Sequence, residues 1–141
     1  MTIATHLDPK YISRGELALS GLKDLAPSLS FATFLTEDGF SVVSIAGAAL
    51  DSNRFASMAS STQALADAVA RELKLGDNEF VIVAAEQGHV VQVRVEGHPL
   101  ILAALFTDKE TIGKSLAAAR RTARRLNVFL SAYTGPIDLP E

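Results

Sequence analysis

The chain has 141 residues, is 48% hydrophobic and 21% charged, and carries a net charge of −3, so it can bury one real core and is too apolar to be disordered. It holds no cysteine, which excludes a disulfide scaffold, a thiolate metal site and cysteine catalysis. No run approaches the roughly eighteen uninterrupted apolar residues of a membrane span, and the first residues lack the basic start and apolar stretch of a signal peptide. A cytoplasmic protein without a membrane span is expected.

Residues 1–12 read as an N-terminal tail. A first helix is predicted from Ser13, an N-cap residue with Glu16 three positions on in the manner of a capping box. Leu17, Leu22 and Leu25 form its inward stripe, and Pro27 ends it. Ser30 to Thr36 and Phe40 to Ala46 read as two strands, joined at Asp38-Gly39, where glycine tolerates the positive φ of a tight turn.

Asp51 or Ser52 caps a long helix running to about Lys74. Phe55, Met58 or Ala59, Thr62, Leu65 or Ala66, Val69 and Leu73 recur at helical spacing, so this stripe is expected to face the sheet. The other side, with Ser57, Ser60, Ser61, Ala64 and Ala68, is small and nearly uncharged. Gly76 is a helix-stop signal.

Three further strands follow with short turns between them, which makes them an antiparallel meander. Phe80 to Ala85 carries no charge. The middle strand alternates, with Val91, Val93 and Val95 on one face and Gln92, Arg94 and Glu96 on the other. Leu100 to Phe106 is apolar throughout and is expected to be buried on both faces. A last helix is predicted to end at Leu126, and residues 127–141 read as a C-terminal tail around a domain of residues 13–126. The fold class expected is α+β: a five-stranded antiparallel sheet of order 2-1-5-4-3, one long helix on one face and two helices on the other. That order leaves the uncharged third strand on an edge, an aggregation hazard unless a second copy pairs with it.

Several stretches resemble the Roadblock family, which includes dynein light chains and bacterial regulators of Ras-like GTPases. They are EDGF at Glu37 to Phe40, the acid Asp51, LGDNEFVIVAAEQGHVVQVRV from Leu75, LILAALFTD from Leu100 and IGKSLAAARRTARRL from Ile112. The resemblance covers roughly Ser13 to Leu126 and implies a Roadblock/profilin-like fold. It also implies a homodimer in which third strands pair into a ten-stranded sheet and the long helices lie side by side. The expected dimer interface is Ser57, Ser60, Ser61, Ala64 and Ala68 with Phe80, Val81, Ile82, Val83 and Ala84. The expected partner is a small Ras-like GTPase, docking near Arg54, Asp67 and Arg71, either to have its GTP hydrolysis stimulated or to be scaffolded. Arg54 and Arg71 are the arginines near that face, and sequence assigns neither a transition-state role.

Catalytic readings are weaker. Gly113-Lys114-Ser115 suggests a phosphate loop, but Asp108 stands where such a loop needs its first glycine. Gly113 is instead expected to let the last helix approach the sheet. His89 and His98 flank the fourth strand and are candidates to meet Glu86 as a weak metal site, yet both fall at turns where polar residues are common. No serine lies in a G-x-S-x-G elbow. No catalytic residue, metal or cofactor is therefore expected. From Lys109 to Arg125 six basic residues face Glu110 alone, a segment charge of +5 against −8 for the rest. Cations at a helix C-terminus are favoured by its dipole; the rival reading is an anionic partner, nucleic acid being least favoured for want of interleaved aromatics. Two rivals to the regulator reading are a small-ligand sensor of PAS/GAF-like architecture and a subunit of a larger heteromeric complex. Few aromatics (6%) and no tryptophan count against the sensor.

Overall fold

The structure is a computed structural model and describes residues 3–46 and 50–133. Its elements are a 3-10 turn at Thr5–Leu7, α1 (Pro9–Leu19), α2 (Leu22–Leu25), β1 (Leu29–Thr36), β2 (Ser41–Ala46), α3 (Ser52–Glu72), β3 (Val81–Ala85), β4 (Gly88–Val95), β5 (Leu100–Thr107) and α4 (Ile112–Tyr133). The five strands form one antiparallel sheet in the predicted order β2-β1-β5-β4-β3.

The pleat sorts the strands into two faces. Ala32, Phe34, Val91, Val93, Val95, Leu100, Leu102, Ala104 and Phe106 are buried together with Ala18, Leu19, Leu22, Ala119, Leu126 and Leu130, so α1, α2 and α4 cover this face. Phe31, Leu35, Ile101 and Ala103 point the other way, beneath Phe55, Ala56 and Ala59 of α3. β5 is buried on both faces, as a doubly apolar central strand must be.

Helix ends differ from the sequence reading. α1 starts at Pro9, not Ser13, because Asp8 is the N-cap: its carboxylate accepts the Lys10 N–H at 3.0 Å, and proline at the first position is preset for a helix. The presumed tail is therefore partly helical, and Leu17 lies exposed while Ala18 and Leu19 turn inward. The glycine that permits close approach is Gly15, where an added Cβ would stand 2.6 Å from Val43 Cγ1, and not Gly113, whose Cβ would meet nothing within 4 Å. α4 continues through Asn127 to Tyr133, well past the predicted stop at Leu126. Residues 134–141 lie outside the described residues.

α3 begins as expected, with the Asp51 carboxylate accepting the Asn53 and Arg54 N–H groups. It ends on a Schellman motif: Leu75 N–H donates to Ala70 O at 2.8 Å and Lys74 N–H to Arg71 O at 3.1 Å. Lys74 holds the left-handed position itself, with φ 57°, and Gly76 follows at 90°.

Candidate functional site

One cross-strand row shows where the α3 face opens to solvent. Phe31, Leu105, Val90 and Val83 are register neighbours across β1, β5, β4 and β3, all on the α3 face. Phe31 is 2% exposed, Leu105 and Val90 are half-buried, and Val83 is 48% exposed. Burial decays along this row because α3 crosses it at Phe31 and runs on over Gln92 toward the start of β3, leaving Val90 and Val83 without a helix above them. β3 is an edge strand, and its outer N–H and C=O groups have no strand beside them.

α3 is rotated from its predicted setting. Its buried residues are Phe55, Ala56, Ala59, Gln63 and Ala70. Of the stripe expected against the sheet, Phe55 and Ala59 are buried, whereas Val69, Leu73 and the alternatives Met58 and Leu65 are exposed, Leu65 at 68%. The reason lies beneath the helix. Phe31, Leu35 and Ile101 already fill that space, so alanines give the closest seat and larger aliphatics are turned aside. At about 100° per residue, Met58, Thr62, Leu65 and Val69 share one flank, on the same side as Phe55. Phe55 packs edge-on against Phe31 with ring centroids 5.0 Å apart. The apolar flank thus borders the uncovered end of the row, and its residues and Val83 are parts of one open apolar surface.

The opposite flank is polar and pinned. Ser60 Oγ donates to Glu37 O at 2.8 Å, fixing the β1–β2 turn against α3. Arg94 of β4 bridges the carboxylates of Glu37 and Asp67. Behind Asp67 runs a chain of buried amides. Gln92 Nε2 donates to Ala59 O at 3.0 Å and to Gln63 Oε1 at 3.3 Å; Gln63 Nε2 donates to Asp67 Oδ1 and Asn78 Oδ1, each at 3.1 Å; and Asn78 Nδ2 donates to Phe80 O. Nothing in the sequence marks these amides, because glutamine and asparagine read as surface until a helix is seen lying over them. Asp67, Arg71, Lys74, Asp77, Asn78 and Arg94 line a charged cleft of about 630 Å³.

The remaining sequence candidates are placed as follows. Ser57, Ser61 and Ala64 are exposed on the outward ridge of α3, with Ala68 half-buried among them. In β3, Phe80 and Ile82 pack toward the α1/α4 core, with the Arg120 guanidinium 5.0 Å over the Phe80 ring. Val81 pairs with Gln92 and Val83 with Val90, on the α3 face. Ala84 is exposed, as are Arg54 and Arg71. The two histidines do not meet. They stand toward opposite ends of the eight-residue β4: His89, within the strand rather than at a turn, is buried against Ser115 Oγ at 2.7 Å, and His98, beyond its far end, approaches Tyr11 Oη at 3.4 Å. Burial, with Lys10 nearby, holds His98 below the ordinary imidazole value. Among the described residues no group of three or more His, Cys, Asp or Glu side chains could hold a metal ion. Ser115 of the suspected phosphate loop is buried, with its hydroxyl on His89 and on Thr111 O.

No protein-family model matches the chain, and no curated protein sequence does. Solved structures do match. Myxococcus xanthus MglB superposes with a TM-score of 0.80 at 12% identity, over 98% of this chain and all (100%) of that one. A Roadblock/LC7 domain from Streptomyces avermitilis gives 0.73 at 18% identity, over 82% and 96%. A structure described as MglB with tetrameric arrangement gives 0.73 at 17%, over 85% and 92%. The chain has the Roadblock fold.

Proposed function

We propose that this chain is a non-enzymatic homodimeric regulator that docks a small Ras-like GTPase. The observation that carries the reading is the unfinished α3 face, where an apolar edge strand and a bare apolar helix flank adjoin. A second copy completes both features. β3 pairs with its own counterpart across a two-fold axis, and Met58, Leu65 and Val69 of each protomer come against the open surface around Val83 and Val90. Ser60, expected in the interface, lies on the opposite, pinned flank and stands outside this one. An interface of this kind buries on the order of 1,600 Å² in total.

Pairing leaves the outward ridges of both long helices as one platform. Ser57, Ser61, Ala64 and Ala68 keep it flat, and Arg54 and Arg71 supply charge at its borders. Asp67 shapes the neighbouring cleft through its pair with Arg94. A Ras-like GTPase is the partner class supported by the Roadblock fold together with the sequence stretches from Glu37 to Leu126 that resemble the family's bacterial regulators. In this reading, which the family resemblance favours, the regulation acts through the GTPase's own active site.

Sedimentation tests the dimer. The wild type is expected to be dimeric at micromolar concentration, and Val83→Asp is expected to be a folded monomer. Burying that carboxylate in the joined sheet costs several kcal/mol, whereas in the monomer it points to solvent. Ile82→Asp is the poorer probe because Ile82 packs on the core. A monomeric wild type overturns the reading. For the platform, Arg71→Glu and Arg121→Glu are compared in titrations with a GTP-loaded Ras-like GTPase of the same cell. Arg71→Glu is expected to weaken binding about tenfold or more, equivalent to about 1.4 kcal/mol. Loss confined to Arg121→Glu puts the docking face elsewhere.

A further inference from the structure

The basic residues of α4 do not sit where helix electrostatics would put them. A cluster at Arg120 to Arg125 is explained by the helix dipole only if the helix stops there, and the dipole's effect falls off within the last turn. α4 runs on to Tyr133 and has no basic residue in its last turn. The helix carries five cations and no acid.

Three of the five have partners within the protein. Lys114 Nζ lies 3.4 Å from Glu110, Arg120 pairs with Glu79 at 3.5 Å and covers Phe80, and Arg125 lies 5.5 Å over Phe129. Arg121 and Arg124 are exposed and form no ion pair among the described residues. By helical spacing they share one outward face with Lys114, Ala117 and Val128, all exposed. Lys114 to Arg124 spans about 15 Å along the axis at about 1.5 Å per residue. One large apolar side chain lies within the stripe: Val128 is 64% exposed. The acids of the adjoining α1 and α2 are Glu16 and Asp24.

We propose that this face of α4 docks on an anionic phospholipid surface. Charge complementarity selects the occupant. Lys114, Arg121 and Arg124 form a row along a convex helix face, which suits a plane of phosphates better than a single anion; Arg124 also borders a small cavity that it shares with Arg120, Glu79 and Glu96, and Ala117 and Val128 within the row can enter the headgroup boundary. The surface lies across the sheet from the GTPase platform, so the two partners do not compete. The inference stands on one protomer. The dimer reading adds only valence, because a two-fold axis beside β3 puts both α4 helices on the same side of the joined sheet.

The test is co-sedimentation of the full chain with vesicles of phosphatidylcholine alone and of phosphatidylcholine mixed equally with phosphatidylglycerol. Binding is expected only to the anionic vesicles and is expected to fall as salt is raised. The double variant Arg121→Glu/Arg124→Glu is expected to lose about tenfold or more in partitioning while keeping its melting profile and its sedimentation as a dimer. Val128→Ser is expected to lose less. Val83→Asp separates the two proposals, since a monomer that still prefers anionic vesicles, more weakly, leaves the docking face standing by itself. Absence of binding to the anionic vesicles, or equal binding by the double variant, overturns the proposal. Arginine-dependent binding to polyglutamate without vesicle binding also overturns it and points to an acidic protein instead.

Discussion

On the α1/α4 face, every inward residue of β4 and β5 from Val91 to Phe106 is buried beneath helices, whereas on the α3 face burial fades from Phe31 near the centre to Val83 at the edge. Both faces belong to one sheet and draw on alternate residues of the same strands. The difference is one of closure: one face is covered within the protomer, and the other keeps an open apolar end, which the proposed dimer would cover. β5 allows a direct comparison, because Leu102 and Leu105 are the same residue type on opposite faces, one fully buried and the other half-buried. In the monomeric Val83→Asp background, Leu102→Ala is expected to cost about 2–5 kcal/mol in urea unfolding, through lost transfer energy and a cavity. Leu105→Ala is expected to cost roughly half of that or less, since less area leaves water there. Equal losses would break the contrast. In the dimer the gap is expected to narrow, as a second copy covers the α3 side.

The α3 face compensates for its small apolar seat with polar pins, and these are the next feature to test. Gln92→Leu removes the donor to Ala59 O and to Gln63 Oε1, leaving the Gln63 oxygen buried without its partner. A loss of about 1–3 kcal/mol is expected. Adding Gln63→Leu to Gln92→Leu is expected to recover part of it, because two apolar side chains leave fewer polar atoms unsatisfied at that crossing. Asn78 Oδ1 and Asp67 Oδ1 then each lack the Gln63 donor, so recovery is incomplete. A double variant as unstable as the sum of the singles would mean that the amides act independently, contrary to the single chain of hydrogen bonds.

What the sequence discloses about this contrast is uneven, for physical reasons. The sheet order was legible because a strand apolar on both faces, such as Leu100 to Phe106, can only be central, and an uncharged Phe80 to Ala85 is then left at the edge. The seat of α3 is legible only at Phe55 and Ala59. Periodicity favours the largest aliphatics, and on this helix Met58, Leu65, Val69 and Leu73 outweigh Ala56, Ala59 and Gln63, although the space under the helix was already taken by Phe31, Leu35 and Ile101. Helix starts are half legible: Asp51 is a cap in both sequence and structure, while Ser13 and Glu16 imitate a capping box inside a helix that starts at Asp8-Pro9. The end of α4 carried no signal, since no glycine or proline follows until Gly135. That extension to Tyr133 is what removes the dipole explanation for the arginines.

The smallest expected effect concerns a tie on the closed face. Glu110, in the turn between β5 and α4, accepts the Ser28 N–H at 3.0 Å and lies beside Lys114, so it clamps the entry to β1 against the start of α4. Its carboxyl is held below its ordinary value of 4.5, first by the Ser28 backbone hydrogen bond and then, against some opposing desolvation, by the Lys114 charge. A lowered folded value means that the native state resists protonation more than the unfolded chain does. The stability it contributes is therefore fully present above the ordinary value and is lost as pH falls through the lowered one. Glu110→Gln keeps an oxygen for Ser28 but has no charge to titrate. The wild type is expected to exceed this variant in urea midpoint at neutral pH, with the advantage shrinking on acidification below the ordinary value. High salt is expected to reduce the advantage only in part, because it screens Lys114 more than it weakens the Ser28 hydrogen bond. An advantage that stays constant down the whole acid range would mean that shape at the turn, rather than charge, is what Glu110 contributes.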